Sequence, residues 1–303
     1  FCMAKHVFGP VPSRRLGFSL GVDIVPYKYC CFDCVYCQIG KTNHVEMVRQ
    51  SFVDTRAVID EIVEKTRTVE RIDHISFSGS GEPTLNSDIG AMITEVKRVT
   101  SIPVAVITNG ALLDQDEVRK DLMASDVVLP SLDAVSETVF RRINRPCAAI
   151  SAESVIRGIK LFRQEYCGKI WLEIMLIKGI NDTVEELHRF KELLPEIKAD
   201  KVQLNTVVRP PSEGTAKGLS SAELENICRY LANNCEIICN FDKPSEQARS
   251  TDWSEEILEI LQRRSLTAED IVKVTGIPSG KVENRLKILE RRGLVKSYIF
   301  HDH

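Results

Sequence analysis

The chain has 303 residues, 43% hydrophobic and 27% charged, with ten cysteines and a net charge of −3. That composition excludes a disordered or collagen-like chain. The near-zero charge excludes a generally basic nucleic-acid binder but allows a local basic patch. No apolar run approaches the roughly 18 residues of a membrane span. Phe1-Cys2-Met3 lacks the basic-then-apolar pattern of a secretion signal. A cytoplasmic protein without membrane contact is therefore expected, its cysteines being reduced thiols or metal ligands.

Taken in chain order, apolar or β-branched runs fall at 19–25, 74–78, 104–108, 127–131, 171–177 and 202–208. Helical spacing lies between them, as in Val58, Ile59, Ile62 and Val63, or Val155, Ile156, Ile159 and Phe162. Asp54, Ser151, Asp182 and Ser220 are the expected N-caps. Strands apolar on both faces and alternating with helices predict a parallel sheet covered by helices. Six βα units, with a further strand at 236–241, predict an α/β fold of the partial (β/α)6 TIM-like barrel type over residues 1–247. A doubly wound sheet is the alternative. Beyond Lys243-Pro244-Ser245 the pattern shortens to helical stretches at 255–263, 268–274 and 280–292, then a strand-like run at 294–300. This predicts a small C-terminal winged-helix (helix-turn-helix) domain over 248–303.

Cys30, Cys34 and Cys37 stand in C-x3-C-x2-C spacing in the loop after the first predicted strand. Three thiolates on one short loop suit one face of an iron–sulfur cube and leave one iron open to a chelating small molecule. A zinc knuckle is the other reading, with Cys31 or His44 as fourth ligand.

Four segments then resemble the radical S-adenosylmethionine (SAM) superfamily. They are the cysteine loop with Tyr36, Gly79-Ser80-Gly81-Glu82-Pro83, Thr108-Asn109-Gly110 and Ser131-Leu132-Asp133. The last three end successive predicted strands and the cysteine loop follows the first, all on the face where β/α barrels build sites. The resemblance implies a [4Fe–4S] cluster on Cys30, Cys34 and Cys37. It implies SAM contacts from Tyr36, Gly79, Ser80, Gly81, Glu82, Thr108, Asn109, Ser131 and Asp133. Within that motif, Gly81 is expected to let the backbone approach the ligand closely. With Phe8-Gly9-Pro10-Val11-Pro12-Ser13-Arg14-Arg15 and Lys178-Gly179-Ile180-Asn181-Asp182, the chain is similar to a group named after wyosine synthetase. The molybdenum-cofactor precursor enzymes are a broader neighbour.

The resemblance implies an enzyme that reductively cleaves SAM to methionine and a 5′-deoxyadenosyl radical, which removes a hydrogen atom from a substrate. A flavodoxin or ferredoxin is the implied electron donor. Nucleic acid such as tRNA, a peptide and a small metabolite all fit as substrate. The alternative is a cluster- and SAM-sensing regulator acting through a DNA-binding winged helix.

Individual residues carry further expectations. Glu173, inside an apolar strand, should face a polar interior as a SAM or substrate contact, or pair with a cation. Arg14, Arg15 and Arg209 are candidates for binding a phosphate or carboxylate. Asn205 is a substrate candidate and Cys147 a candidate catalytic thiol. Cys228, Cys235 and Cys239 are either buried thiols or ligands of a second cluster. Lys281, Arg285, Lys287, Arg291, Arg292 and Lys296 outnumber Glu283 and Glu290 on the last helical stretch, a candidate RNA or DNA contact. The other reading is a solvated helix packed through Val282, Leu286 and Leu289.

Overall fold

The computed structural model describes residues 6–42, 44–238, 257–258, 260–261 and 265–297. The chain opens with strands β1 (Val7–Ser13) and β2 (Gly17–Val22), then two short strands, β3 (Tyr29–Cys30) and β4 (His44–Val45). Helix α1 (Thr55–Thr68), strand β5 (His74–Phe77) and α2 (Ile89–Val99) follow, then β6 (Val104–Thr108), α3 (Asp116–Leu122) and β7 (Val127–Pro130). Next come α4 (Glu137–Ile143), α5 (Ala152–Glu165), β8 (Lys169–Leu176) and α6 (Val184–Ile197). Strand β9 (Lys201–Thr206), α7 (Ser221–Leu231) and β10 (Cys235–Ile237) complete the sheet. Beyond it lie α8 (Ala268–Thr275) and α9 (Ser279–Arg291).

The large sheet has the order β1-β2-β5-β6-β7-β8-β9-β10, and every pairing from β2 to β10 is parallel. Each new strand is added beside the one before it, without the reversal of order that defines a doubly wound sheet. The winding is that of a partial barrel. Strands β6, β7 and β9 are buried on both faces, with Ala105, Val106, Val128 and Leu129 fully covered. The covering helices present one apolar stripe each; α1 buries Val58, Ile59 and Ile62.

Three expectations change. Residues 7–13 form an extra strand, β1, antiparallel to β2, where the sequence offered only a motif. Asp182 is not an N-cap: Thr183 caps α6 through the Glu186 N–H, and Asp182 accepts from Gly179 N at 2.7 Å instead. Residues 294–297 form no strand, and the rest of that run, 298–300, lies outside the described residues. Asp54, Ser151 and Ser220 cap α1, α5 and α7 as expected.

The helix-turn-helix region packs on β1. Phe8 and Val11 form one apolar cluster with Ile257, Ile260, Ile271 and Val282. Helix α8 starts with a Thr267–Asp270 capping box and stops at Gly276, whose φ of +67° suits glycine. On α9, Val282 and Leu289 are buried, while Lys281, Lys287 and Arg291 are exposed. No helix of the described residues is long and apolar enough to cross a membrane.

Candidate active site

The carboxyl ends of the parallel strands and the cysteine loop surround a cavity of about 360 Å³, a size typical of small-molecule sites. The loop is held in place by the turn after β5. Lys28 N donates to Ser80 O at 2.8 Å, and Glu82 N donates to Tyr29 O at 3.0 Å. Ser80 is fixed in turn by Asp23, which accepts from Ser80 N at 3.2 Å and from Ser80 Oγ at 2.5 Å. A Cβ on Gly81 would lie 2.0 Å from Tyr29 O. The close approach that requires Gly81 is therefore to the cysteine loop itself.

Glu82 stands in the turn after β5, as the cap of a short 3-10 helix at Pro83–Leu85, and braces the end of β6. Its Oε1 accepts from Thr84 N at 3.1 Å and from the Thr84 and Thr108 hydroxyls at 2.6 Å, while Oε2 accepts from Asn109 N at 2.7 Å. Burial raises its pKa even against these donors. The carboxylate has four donors, so it ties the turn after β5 to the end of β6, and it also lines the cavity.

Cys30, Cys34 and Cys37 all line the cavity. Each has a side-chain N–H donor near its sulfur: Asn109 Nδ2 at 3.5 Å from Cys30, Asn144 Nδ2 at 3.4 Å from Cys34, and Lys28 Nζ at 3.5 Å from Cys37. Such donors favour the thiolate form that a metal cluster binds. Burial pushes the Cys34 thiol up, and the negative charges of Asp133, Cys30 and Cys37 add to it. Burial also raises Cys37, partly offset by Lys28. A cationic centre among the three sulfurs removes that penalty, so the donor set fits an iron–sulfur cluster. Cys31 is fully buried in the core, with its sulfur 3.2 Å from Asn109 Nδ2.

Most residues expected at the site line this cavity: Tyr36, Gly79, Ser80, Thr108, Asn109 and Ser131 do, beside Gly81 and Glu82. So do Glu173, Asn205, Arg14, Arg15 and Arg209. Glu173 is both paired and cavity-facing, since it binds the Arg15 guanidinium and accepts from Asn205 Nδ2 at 2.7 Å. Two expected residues do not line it. Asp133 lies behind Tyr36, accepting its hydroxyl, Asn144 Nδ2 at 2.7 Å and Met175 N at 3.0 Å. Burial lifts Asp133 to about 6. Cys147 is partly buried against the core, and its N–H donates to Cys31 O at 3.1 Å, so this segment props the cysteine loop from outside. Cys228 on α7 and Cys235 on β10 interact through their side chains, and Cys239 lies outside the described residues.

Lys28, Asn144 and Asp23 were not anticipated. Lys28 carried one signal, a cation two residues before the first cysteine. Asn144 carried none, because its partner Cys34 is 110 positions away.

A family model described as "Radical SAM superfamily" matches residues 24–191, and one described as "Bacterial regulatory protein, arsR family" matches 256–297. A Brachyspira hyodysenteriae protein named GTPase Obg is 38% identical over 298 residues, 97% of this chain; the chain spans 44% of that protein's length. A UPF0026 protein of Methanocaldococcus jannaschii is 38% identical over 76% of this chain and 71% of its own. A solved structure of TYW1 with a lysine-pyruvate adduct bound superposes with a TM-score of 0.56 over 75% of this chain and 76% of that one. At 18% identity that likeness concerns the fold. The family match covers more than half of the chain and coincides with the cavity built above, so the chain belongs to the radical SAM superfamily and to the UPF0026 proteins.

Proposed function

We propose that this radical SAM enzyme holds a [4Fe–4S] cluster through Cys30, Cys34 and Cys37 and binds SAM in the adjoining cavity. The observation that carries this reading is the meeting of three N–H-supported thiols with the ends of β5 and β6 in one cavity. The bound groups supply reductive cleavage of SAM and hydrogen abstraction from a substrate, while the protein orients them and excludes water. Tyr36, Ser131 and Asn109 contact SAM, with Gly79, Ser80, Gly81, Glu82 and Thr108 forming the wall on which it rests. Asp133 acts at one remove, fixing the Tyr36 hydroxyl. Cys147 has no part in the chemistry in this reading, because it does not face the cavity. A flavodoxin or ferredoxin reduces the centre.

Residues 1–247 form the catalytic barrel and 248–303 the helix-turn-helix domain. The arsR-family match and the exposed Lys281, Lys287 and Arg291 support nucleic acid as its partner, with an RNA or DNA substrate delivered to the barrel. The same match favours a second reading, a cluster- and SAM-sensing regulator of DNA binding.

Anaerobic reconstitution with iron, sulfide, dithionite and SAM separates the two. The enzyme reading expects 5′-deoxyadenosine and methionine, and their absence even with cell extract added would overturn it. Duplex binding that changes with cluster state would favour the regulator.

A further inference from the structure

Three guanidinium groups meet in the cavity from two distant parts of the chain. Arg14 and Arg15 stand in the turn between β1 and β2, and Arg209 follows β9. Arg15 is matched by Glu173. Arg209 donates to Gln38 Oε1 at 3.1 Å and faces the Asp270 carboxylate at 3.9 Å. Arg14 makes no hydrogen bond or ion pair among the described residues. Burial, then the positive charges of Arg209 and Arg15, lower its pKa to about 10, so it remains a cation at neutral pH. Among the described residues Arg14 is therefore a largely buried cation with no carboxylate of its own, beside two further guanidinium groups. Holding it there is unfavourable unless an anion completes the set. Guanidinium forks match the paired oxygens of phosphate and carboxylate groups, and they do so better than any other side chain.

Asp270 reaches this cluster from outside the barrel. It is the third residue of α8 and is held there by Thr267, whose N–H it accepts at 3.2 Å. The helix in turn is docked on β1 through Ile271 and Phe8. We infer that Arg14, Arg15 and Arg209 form a subsite for a phosphate or carboxylate group of the substrate, with Asp270 of the helix-turn-helix region as the competing internal anion. The inference rests on the cavity being the substrate chamber, and it names the substrate class as anionic. A phosphate-bearing substrate, nucleotide or not, satisfies it. The anion could instead be the carboxylate of SAM, and the experiment separates these sources.

Inorganic phosphate and SAM are titrated separately into the reconstituted protein by calorimetry. Arg14→Met is expected to weaken phosphate binding about tenfold or more, the worth of a charged hydrogen bond. SAM affinity should change by less than about threefold. Asp270→Asn, which keeps the helix cap, should tighten phosphate binding. Arg14→Lys keeps the charge without the fork and should fall between wild type and Arg14→Met; it serves if the methionine variant does not fold. Phosphate binding that is absent in the wild type, or unchanged in both Arg14 variants, overturns the inference. A parallel loss of SAM affinity also overturns it, assigning the arginines to SAM while leaving the radical SAM reading intact. A wild type that binds phosphate but not SAM leaves the subsite standing and refutes the SAM chamber.

Discussion

Glu82 and Asn109 are joined by a 2.7 Å hydrogen bond from the Asn109 N–H to the Glu82 carboxylate, and the Asn109 amide lies 3.5 Å from the Cys30 sulfur. One buried carboxylate thus connects the turn after β5 and the end of β6 to the Cys30 thiol. Replacing it by Glu82→Ala leaves the Thr108 hydroxyl and the Asn109 N–H without their acceptor. The expected loss is about 2–4 kcal/mol of stability, together with weaker SAM binding. Thr84→Ala removes only one of the donors, the hydroxyl, because the backbone N–H of residue 84 stays, and it should cost about 1 kcal/mol. Urea unfolding of both variants checks this, and equal losses would refute the bracing role of Glu82.

Gly81→Ala places a Cβ 2.0 Å from Tyr29 O, a backbone atom that cannot turn aside. The cysteine loop must move, so iron and sulfide per chain should fall well below wild type after reconstitution. Gly40→Ala is the control: its φ is +86° and nothing lies within 4 Å of the new Cβ. It should carry only the backbone strain of about 1–2 kcal/mol and load normally. Full loading of Gly81→Ala would show that the loop tolerates displacement.

The ten cysteines should separate by cluster content. Alanine at Cys30, Cys34 or Cys37 is expected to abolish absorbance near 400 nm and the reduced-state EPR signal. Cys31→Ala and Cys147→Ala should retain both, with Cys31→Ala costing about 1 kcal/mol through a small core void. Cluster loss in Cys31→Ala alone would reassign the ligand set.

Asp133 gives a pH test. Burial holds its folded value near 6, above the ordinary carboxylate value of about 3.9. A raised carboxyl stabilises the fold when protonated. That contribution is complete below about pH 4 and is lost as the pH rises to about 6. Relative to Asp133→Asn, the cluster-free wild type should lose up to about 3 kcal/mol across this window and then stay level. Asn144 Oδ1, which is buried without a partner, offers the substituted amide an acceptor. Chemical denaturation at successive pH values measures the difference, and a flat difference from pH 4 to 6 would refute the assignment.

Strand and helix identity was readable in the sequence wherever burial forced a pattern. The runs at 104–108 and 127–131 are buried on both faces, and they appear as β6 and β7. Strand β1 escaped because Gly9, Pro10 and Pro12 interrupt its run, and because one partner strand is enough to hold it at the sheet edge. The cysteine spacing, the Gly-Glu-Pro turn and the strand-end Asn-Gly were local features, so the site could be named before the fold was seen. Non-local contacts left no such trace. The meeting of Asn144 with Cys34, and of Asp270 with Arg209, depends on how strands and helices pack. The opening composition gave ten cysteines and a net charge near zero. By itself the sequence determined the residue types, the order of the βα units and the three-thiol motif, because these rest on spacing along the chain. Only the tertiary structure decided which donors support each sulfur, that Asp133 and Cys147 lie off the cavity, and that three arginines share it, because these depend on distances between segments far apart in the chain.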